Sequence, residues 1–370
     1  LKVLILANHG VADPASRTRV FQYLPRLRER GVDPDVEVIV ADSVFAKGCR
    51  SRLAKIRYYF TVVWLSFRAG LRTLVRASSY DCILIQRVLF PFPIPLLMRR
   101  HRHRIIYDFD DAIFTTETVD ASGLERVRQW FHARTVAPLL KSASHAVVES
   151  DYTAGYARDC GALATVITGP IDTERYRPGE GPKEDGRVVL GWIGSPTTSV
   201  YVDLVREPLE ALGQAYPNLV LRLVGTSEPR IENLRFEARS WSLETEVSDL
   251  QSFDIGLMPL PDDPWTRGKG GYKILQYSAM GLPVVASPVG VNQKLVDHEI
   301  SGYLARSNED WVGYLSRLIE DVDLRVRMGR EGRARMVKTY GLDRAADRMV
   351  SLFSAVSGQN GPSRMMPKHA

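Results

Sequence analysis

Three cysteines in 370 residues, Cys49, Cys82 and Cys160, are too few and too widely spaced for a disulfide framework or a zinc site, and such usage suits a reducing cytoplasm. Long apolar runs are missing as well. A membrane-spanning helix needs ~20 consecutive apolar residues, and the longest uncharged run here, Ile274 to Gln293, is broken by Gly281, Pro283, Pro288 and Gly290. The opening LKVLILANHG has no small-residue cleavage site behind its short apolar run, so it reads as a first strand rather than a signal peptide. Internal repeats and low-complexity tracts are also absent. Acidic residues almost vanish between 43 and 104, where 13 Lys and Arg face one Asp, Asp81. That segment lacks a recognisable nucleic-acid motif, so nucleic acid is not an expected partner.

What is present is globular: 45% hydrophobic, 25% charged and 9% aromatic residues, with 28 Gly and 21 Pro spread along the chain. The length exceeds what one core usually holds, which predicts two domains. The formal charge of +6 hides an asymmetry, since residues 1 to 150 carry +9 and the remainder −3. The first half is therefore expected to meet something anionic.

Short apolar runs alternate with amphipathic segments. Val3–Ala7, Val36–Ala41, Cys82–Gln86, Ile105–Tyr107 and Ala146–Val148 read as strands of a parallel sheet covered on both faces. A second series, Val188–Ile193, Leu219–Val224, Phe253–Leu260 and Pro283–Ala286, follows the Pro-, Gly- and charge-rich stretch RPGEGPKEDGR. The expected order is a first domain over 1–170, a linker over 171–187 and a second domain over 188–340. A helix over 341–357, able to cross back to the first domain, and a disordered tail over 358–370 would complete the chain. In open α/β sheets ligands bind beyond the carboxyl ends of the strands, and two facing domains make a cleft.

Segment 261–293, PDDPWTRGKGGYKILQYSAMGLPVVASPVGVNQ, joins a strand to a helix through Gly268, Gly270 and Gly271, with Arg267 and Lys269 among them. Glycines admit close approach of a ligand to backbone, and free N–H groups at a helix start beside cations make a phosphate site. Ala279, Gly281, Pro283 to Ser287 and Gly290 resemble the "A-x-G-x-P-V-V-A-S…G" signature of retaining glycosyltransferases of family 4. Ser301 to Leu304 is similar to the "tG-x-L" that follows, ITGPIDTERYRP to "NGVD-x-x-x-F-x-P", and Asp254 to Pro259 to "aDv-x-v-x-P". The resemblance implies the α/β GT-B fold, two Rossmann-like doubly wound domains facing a cleft, and a nucleotide-diphosphate sugar as substrate.

This chain departs from that pattern at three places. The family's two glutamates, eight positions apart, fall on Gly268 and Gln276, so Gln276 is expected at the ribose without a charge. The usual Arg and Lys clamp is replaced by the turn Gly194-Ser195-Pro196-Thr197-Thr198. Arg267, Lys269 or Lys273 is then expected to supply charge to the diphosphate, with Ser195 and Thr197 as neutral donors. Gly194, Gly270, Gly271 and Tyr272 complete the expected donor site.

In the first domain Tyr107-Asp108-Phe109-Asp110-Asp111 places three carboxylates at a strand end, costly to hold together without a cation, a proton or a basic ligand. Its Asp-x-Asp is the metal motif of the GT-A architecture. The resemblance to GT-B implies no metal, and assigns Asp110 or Asp111 to orienting or deprotonating an acceptor hydroxyl. The first loop brings His9 toward the chemistry and Arg17 and Arg19, with Asp108, toward an acceptor. Leu53, Ile56, Phe60, Val63, Phe67, Leu71 and Leu74 share one helical face, flanked by Arg52, Lys55, Arg57, Arg68, Arg72 and Arg76. Such a face is either core or an interfacial helix for an anionic membrane.

The expected function is transfer of a sugar, with retention, to a glycan or lipid-linked acceptor in cell-surface polysaccharide biosynthesis. The enzyme would be cytoplasmic and peripheral at the inner face of the plasma membrane. The alternatives are a non-catalytic glycosyltransferase-like binding or scaffold protein and a nucleotide-sugar epimerase or hydrolase.

Overall fold

The computed structural model describes residues 1–44, 52–115, 123–179 and 186–358. The chain divides into two compact units, Leu1–Ile167 with the segment from Asp343 onward, and Thr168–Leu342.

The first unit is built on a parallel sheet in the order β2-β1-β3-β4-β5-β6, with β1 Lys2–His9, β2 Asp33–Val40, β3 Cys82–Gln86, β4 Ile105–Asp108, β5 His145–Val148 and β6 Leu163–Val166. β3, CILIQ, is buried at every residue, as a central strand covered on both faces must be. Strand order reverses between β1 and β3, and the register sets Ala7 beside Gln86, Gln86 beside Asp108 and Asp108 beside Val147. The carboxyl ends therefore line up in one row at a topological switch point. The helix Leu342–Ser357 is tied to this unit: Arg30 donates to Asp347 at 2.6 Å and Asp343 at 3.0 Å, and Arg348 to the carbonyl of Val166 at 2.7 Å.

The long helix Arg52–Arg76 packs through Tyr58, Val62, Leu65, Ser66, Ala69, Thr73 and Leu74. At Gly70 it comes so close to the helix Ile94–Met98 that an added Cβ would stand 2.5 Å from Ile94 Cγ2. The sequence-read face is split by this packing. Phe67 and Leu74 turn inward, whereas Ile56, Phe60, Val63 and Leu71 remain exposed together with Trp64 and Val75. The 3.6-residue period gives the width of an apolar stripe, but here both sides of the helix carry apolar residues, so period alone does not choose the buried one.

The second unit repeats the architecture: β7 Val188–Ile193, β8 Leu219–Val224, β9 Arg235–Arg239, β10 Ile255–Met258, β11 Val284–Ala286 and β12 Gly302–Leu304, in the order β12-β11-β10-β7-β8-β9. Its switch point lies between β7 and β10. Part of the expected linker is folded into this unit. Ile171 pairs with Gly341 and is fully buried, and Tyr176 is buried beneath Arg333, which donates to the carbonyls of Tyr176 at 2.9 Å, Thr173 at 3.1 Å and Ala279. The Pro-Gly composition marks a chain that must turn, which a packed exit segment also requires. The rest of that linker, 180–185, and the expected tail from 359 lie outside the described residues.

Candidate functional site

Two groups of polar side chains stand at the two switch points. In the second unit, Gly194 follows β7 and its N–H donates to the Val224 carbonyl at 3.0 Å. A Cβ there would lie 2.5 Å from the Trp192 ring and 2.9 Å from Lys273 Cε, so the turn and the Lys273 stem occupy adjoining space. The Lys273 ammonium stands 5.0 Å from the Trp192 ring centroid. Ser195 and Thr197 share a hydroxyl hydrogen bond of 2.8 Å on the exposed side of the turn.

After β10 the chain makes a short helix, Pro264–Arg267, capped by Asp263, and then reaches the helix Tyr272–Ala279 through Gly271 at φ +67°. A side chain at Gly271 would be strained in this left-handed conformation and would meet Leu295 at 2.5 Å. Among the described residues no side chain caps this helix start, and the Ile274 N–H donates to the Gly271 carbonyl at 2.9 Å. Gly270 is buried beside it, and Tyr272 is half-buried. Lys269 lies 5.3 Å from the Trp265 ring centroid. Arg267 is engaged by Asp262 at 2.6 and 3.1 Å, so of the three expected cations Lys273 is the one built against the turn.

Gln276, on the second turn of that helix, is buried. Its Nε2 donates to the Tyr176 hydroxyl at 3.4 Å, the Tyr176 hydroxyl donates to Glu246 Oε1, and Trp241 Nε1 donates to Glu246 Oε2 at 2.8 Å. Burial and the adjacent Glu246 carboxylate push the Tyr176 phenol up to about 12. Sequence reasoning missed Glu246 and Trp241, which no motif marks; Tyr176 sits inside ITGPIDTERYRP and was legible only as part of it.

In the first unit the row of strand ends presents His9, Gln86, Arg87, Asp108, Asp110 and Asp111. His9 Nε2 hydrogen-bonds the Tyr58 hydroxyl at 2.8 Å. Burial holds its imidazole below the ordinary value and Arg87 adds to this, while Asp13 and Asp42 oppose it. Arg87 has φ +57°, in the left-handed region that favours glycine, and its Nη1 donates to Asp110 Oδ2 at 3.1 Å. The same Nη1 lies 3.0 Å from Oδ1, an ion-pair contact, and Oδ1 has no hydrogen bond among the described residues. Asp111 is half-buried with no side-chain hydrogen bond among the described residues. Gln86 Oε1 accepts from Asn8 N–H at 3.2 Å and Ser16 at 3.1 Å, while its Nε2 is buried with no partner among the described residues.

Arg19 and Asp108, expected at an acceptor, are both buried and spend their charges on each other: Arg19 donates to Asp108 at 3.0 and 2.6 Å, to Glu149 at 3.1 Å and to the Ile167 carbonyl at 2.9 Å. Burial raises the Asp108 carboxyl and pushes Glu149 up to about 8, both against the pull of Arg19. Arg17, half-buried, folds back onto the Val11 carbonyl at 3.3 Å. Among the described residues no group of three or more His, Cys, Asp or Glu is placed to hold a metal ion.

Two parallel, doubly wound units with polar groups gathered at both switch points are the GT-B fold of glycosyltransferases. Residues 187–321 match the family model of the glycosyl transferases group 1, and that stretch holds all the expected donor-side residues. The chain resembles D-inositol 3-phosphate glycosyltransferase of Saccharomonospora viridis, 26% identical over 223 residues, which are 52% of this chain; the match spans only 50% of that relative's length. Among solved structures, sucrose-phosphate synthase from Thermosynechococcus elongatus shares the fold with a TM-score of 0.67 and 16% identity, over 97% of this chain and 100% of that one. Anabaena HepE in complex with UDP and glucose does so with a TM-score of 0.60 and 15% identity, over 96% and 99%.

Proposed function

We propose that the chain transfers a sugar, with retention, from a nucleotide-diphosphate donor held by the second unit to a glycan or lipid-linked acceptor held by the first, in surface polysaccharide assembly at the cytoplasmic face of a membrane. The observation that carries the donor half is the β7–β10 switch point within the family-matched segment, where the Gly194 turn, the Gly271 turn at φ +67° and Lys273 converge. The positive end of the helix dipole and the Lys273 ammonium stabilise the diphosphate as it leaves with its negative charge, which is where such a reaction needs stabilisation most. In a front-face path the bond from the anomeric carbon to the phosphate oxygen breaks, the acceptor oxygen bonds that carbon from the same side, and the acceptor proton passes to the departing phosphate. Asp111, with no side-chain hydrogen bond among the described residues, and the Arg87-held Asp110 suit the task of orienting the acceptor hydroxyl, with neutral His9 beside them. The expected result of calorimetric titration with UDP-, GDP- and ADP-sugars is saturable binding of one nucleotide class, lost in Gly270→Asp, which puts a carboxylate where phosphate would sit. Absence of binding to all three would overturn the reading, and binding without transfer to any acceptor would favour a scaffold.

For the membrane surface, the supporting observation is the apolar strip left outside the core: Phe60 (75% exposed), Trp64 (63%) and Val75 (82%), with Phe92 (82%), Leu96 and Leu97 near the adjoining helix. Arg57, Arg68, Arg99 and Arg100 are exposed too. Arg72 and Arg76 are engaged by Glu37 and Asp35. No described helix is long and apolar enough to cross a membrane, so docking would be interfacial. Co-sedimentation is expected to favour phosphatidylserine-containing over phosphatidylcholine vesicles. Exchanging Phe60 and Trp64 for Ser should cut total binding, and exchanging Arg57 and Arg68 for Gln should remove the preference. Unchanged sedimentation in both variants would exclude this surface.

A further inference from the structure

Gln276 stands where a ribose-holding carboxylate is expected, yet an amide can present either its oxygen or its nitrogen to a diol, and these two faces do opposite things. The network behind Gln276 removes that ambiguity. The Tyr176 hydroxyl proton is committed to Glu246, so toward Gln276 the phenol oxygen can only accept. The Gln276 amide must therefore turn its NH2 inward to Tyr176, which leaves the carbonyl as the outward group. Glu246 cannot rotate away from this task, because Trp241 Nε1 holds its second oxygen at 2.8 Å and the carboxylate is buried. Tyr176 is itself fixed: Arg333 donates to its carbonyl at 2.9 Å and to that of Ala279 at the end of the Gln276 helix, and the Arg175 guanidinium lies 5.5 Å from its ring centroid.

We propose that Glu246 and Tyr176 are positioning residues that lock Gln276 with its carbonyl outward, making it a pure hydrogen-bond acceptor for the donor's ribose hydroxyls and so a selector of ribonucleotides over deoxyribonucleotides. The negative charge missing from position 276 is present two hydrogen bonds away, at Glu246, and a chain of bonds ending on a carboxylate polarises the amide so that its oxygen accepts more strongly. The proposal rests on the reading that the second unit binds a nucleotide donor, and it adds what enforces the choice of sugar in that nucleotide.

The test is calorimetric affinity for UDP, GDP and ADP and for their 2′-deoxy forms, in the wild type, Tyr176→Phe, Glu246→Gln and the double variant Tyr176→Phe/Gln276→Glu. The wild type should prefer the ribonucleotide by roughly tenfold or more, as a charge-polarised hydrogen bond allows. Tyr176→Phe should bring that ratio close to one by weakening the ribonucleotide alone. The double variant should restore the ratio, because a carboxylate accepts from both oxygens and needs no orientation. Glu246→Gln, which frees the phenol from its obligate acceptor, should give a smaller loss in the same direction, and it keeps the test in hand if Tyr176→Phe does not fold. A ratio unchanged in Tyr176→Phe, an equal loss for both nucleotides, or a wild type that binds nucleotides without discrimination would overturn the proposal and leave the donor reading standing. A wild type that binds no nucleotide would overturn both.

Discussion

Arg19→Met is expected to lower the stability of the first unit by about 3–5 kcal/mol, the usual cost of removing one partner from a buried ion network. For a unit of this size that is a fall in melting temperature of roughly 10 °C. Methionine keeps most of the stem and its packing, so the loss isolates the guanidinium. Without it the Asp108 and Glu149 carboxylates and the Ile167 carbonyl lose their shared donor inside the core. Chemical denaturation monitored by circular dichroism checks this, and a variant that melts like the wild type but has lost affinity for an acceptor would return Arg19 to acceptor binding. The same network carries a pH dependence of known sign. Glu149 keeps its proton up to about 8 in the folded unit, whereas an unfolded glutamate releases it near its ordinary value of 4.5. Its contribution is thus fully present below that value and is lost as pH rises toward 8. Glu149→Gln cannot titrate, so its stability relative to the wild type should be higher at pH 8.5 than at pH 5; the reverse order would contradict the burial argument.

Lys273→Met is expected to weaken nucleoside-diphosphate binding by about 10- to 100-fold, the size of one lost hydrogen bond to a charged group. The Lys273 stem lies against the Gly194 turn and its ammonium over Trp192, so the charge is held where a diphosphate bridging β7 and the Gly271 helix start would need it. Affinity for the bare nucleoside should hardly change, since the stem and its packing survive. Arg267→Met serves as the comparison. It removes an exposed charge that Asp262 already engages, and such a surface group contributes little. Titrations of both variants with the nucleotide that the wild type prefers decide between them, and a larger loss at Arg267 would reverse the assignment.

The architecture was largely legible because buried parallel strands are short apolar runs that little else imitates. The strands that escaped the reading, β6 LATV, β9 RFEAR and β12 GYL, show why. β6, β9 and β12 stand at sheet edges, where one side needs no partner and polar residues are tolerated. Site residues divided along a similar line. Gly194, Gly271 and Lys273 were expected at a donor site because a loop that must bring backbone to phosphate needs glycine and cations in a short stretch, and the fold sets the Lys273 stem against the Gly194 turn. Glu246 and Arg87 escaped because each acts on a residue remote in sequence, Tyr176 and Asp110, and no local pattern encodes such a pairing.

By itself the sequence determined two α/β units, the strand–glycine loop–helix of the second and an excess of positive charge between 43 and 104. These follow from local constraints, apolar period, backbone freedom and composition, that are written in consecutive residues. Only the tertiary structure decided which charges remain available. It buried Arg19 against Asp108 and Glu149, engaged Arg72 and Arg76 with β2, left Phe60 and Trp64 outside the core, and placed Glu246 behind Tyr176 and Gln276. The reason is that a charge is spent or kept according to what faces it across the fold, and those partners arrive from strands and helices 130 residues away for Arg19 and Glu149 and 317 for Arg30 and Asp347.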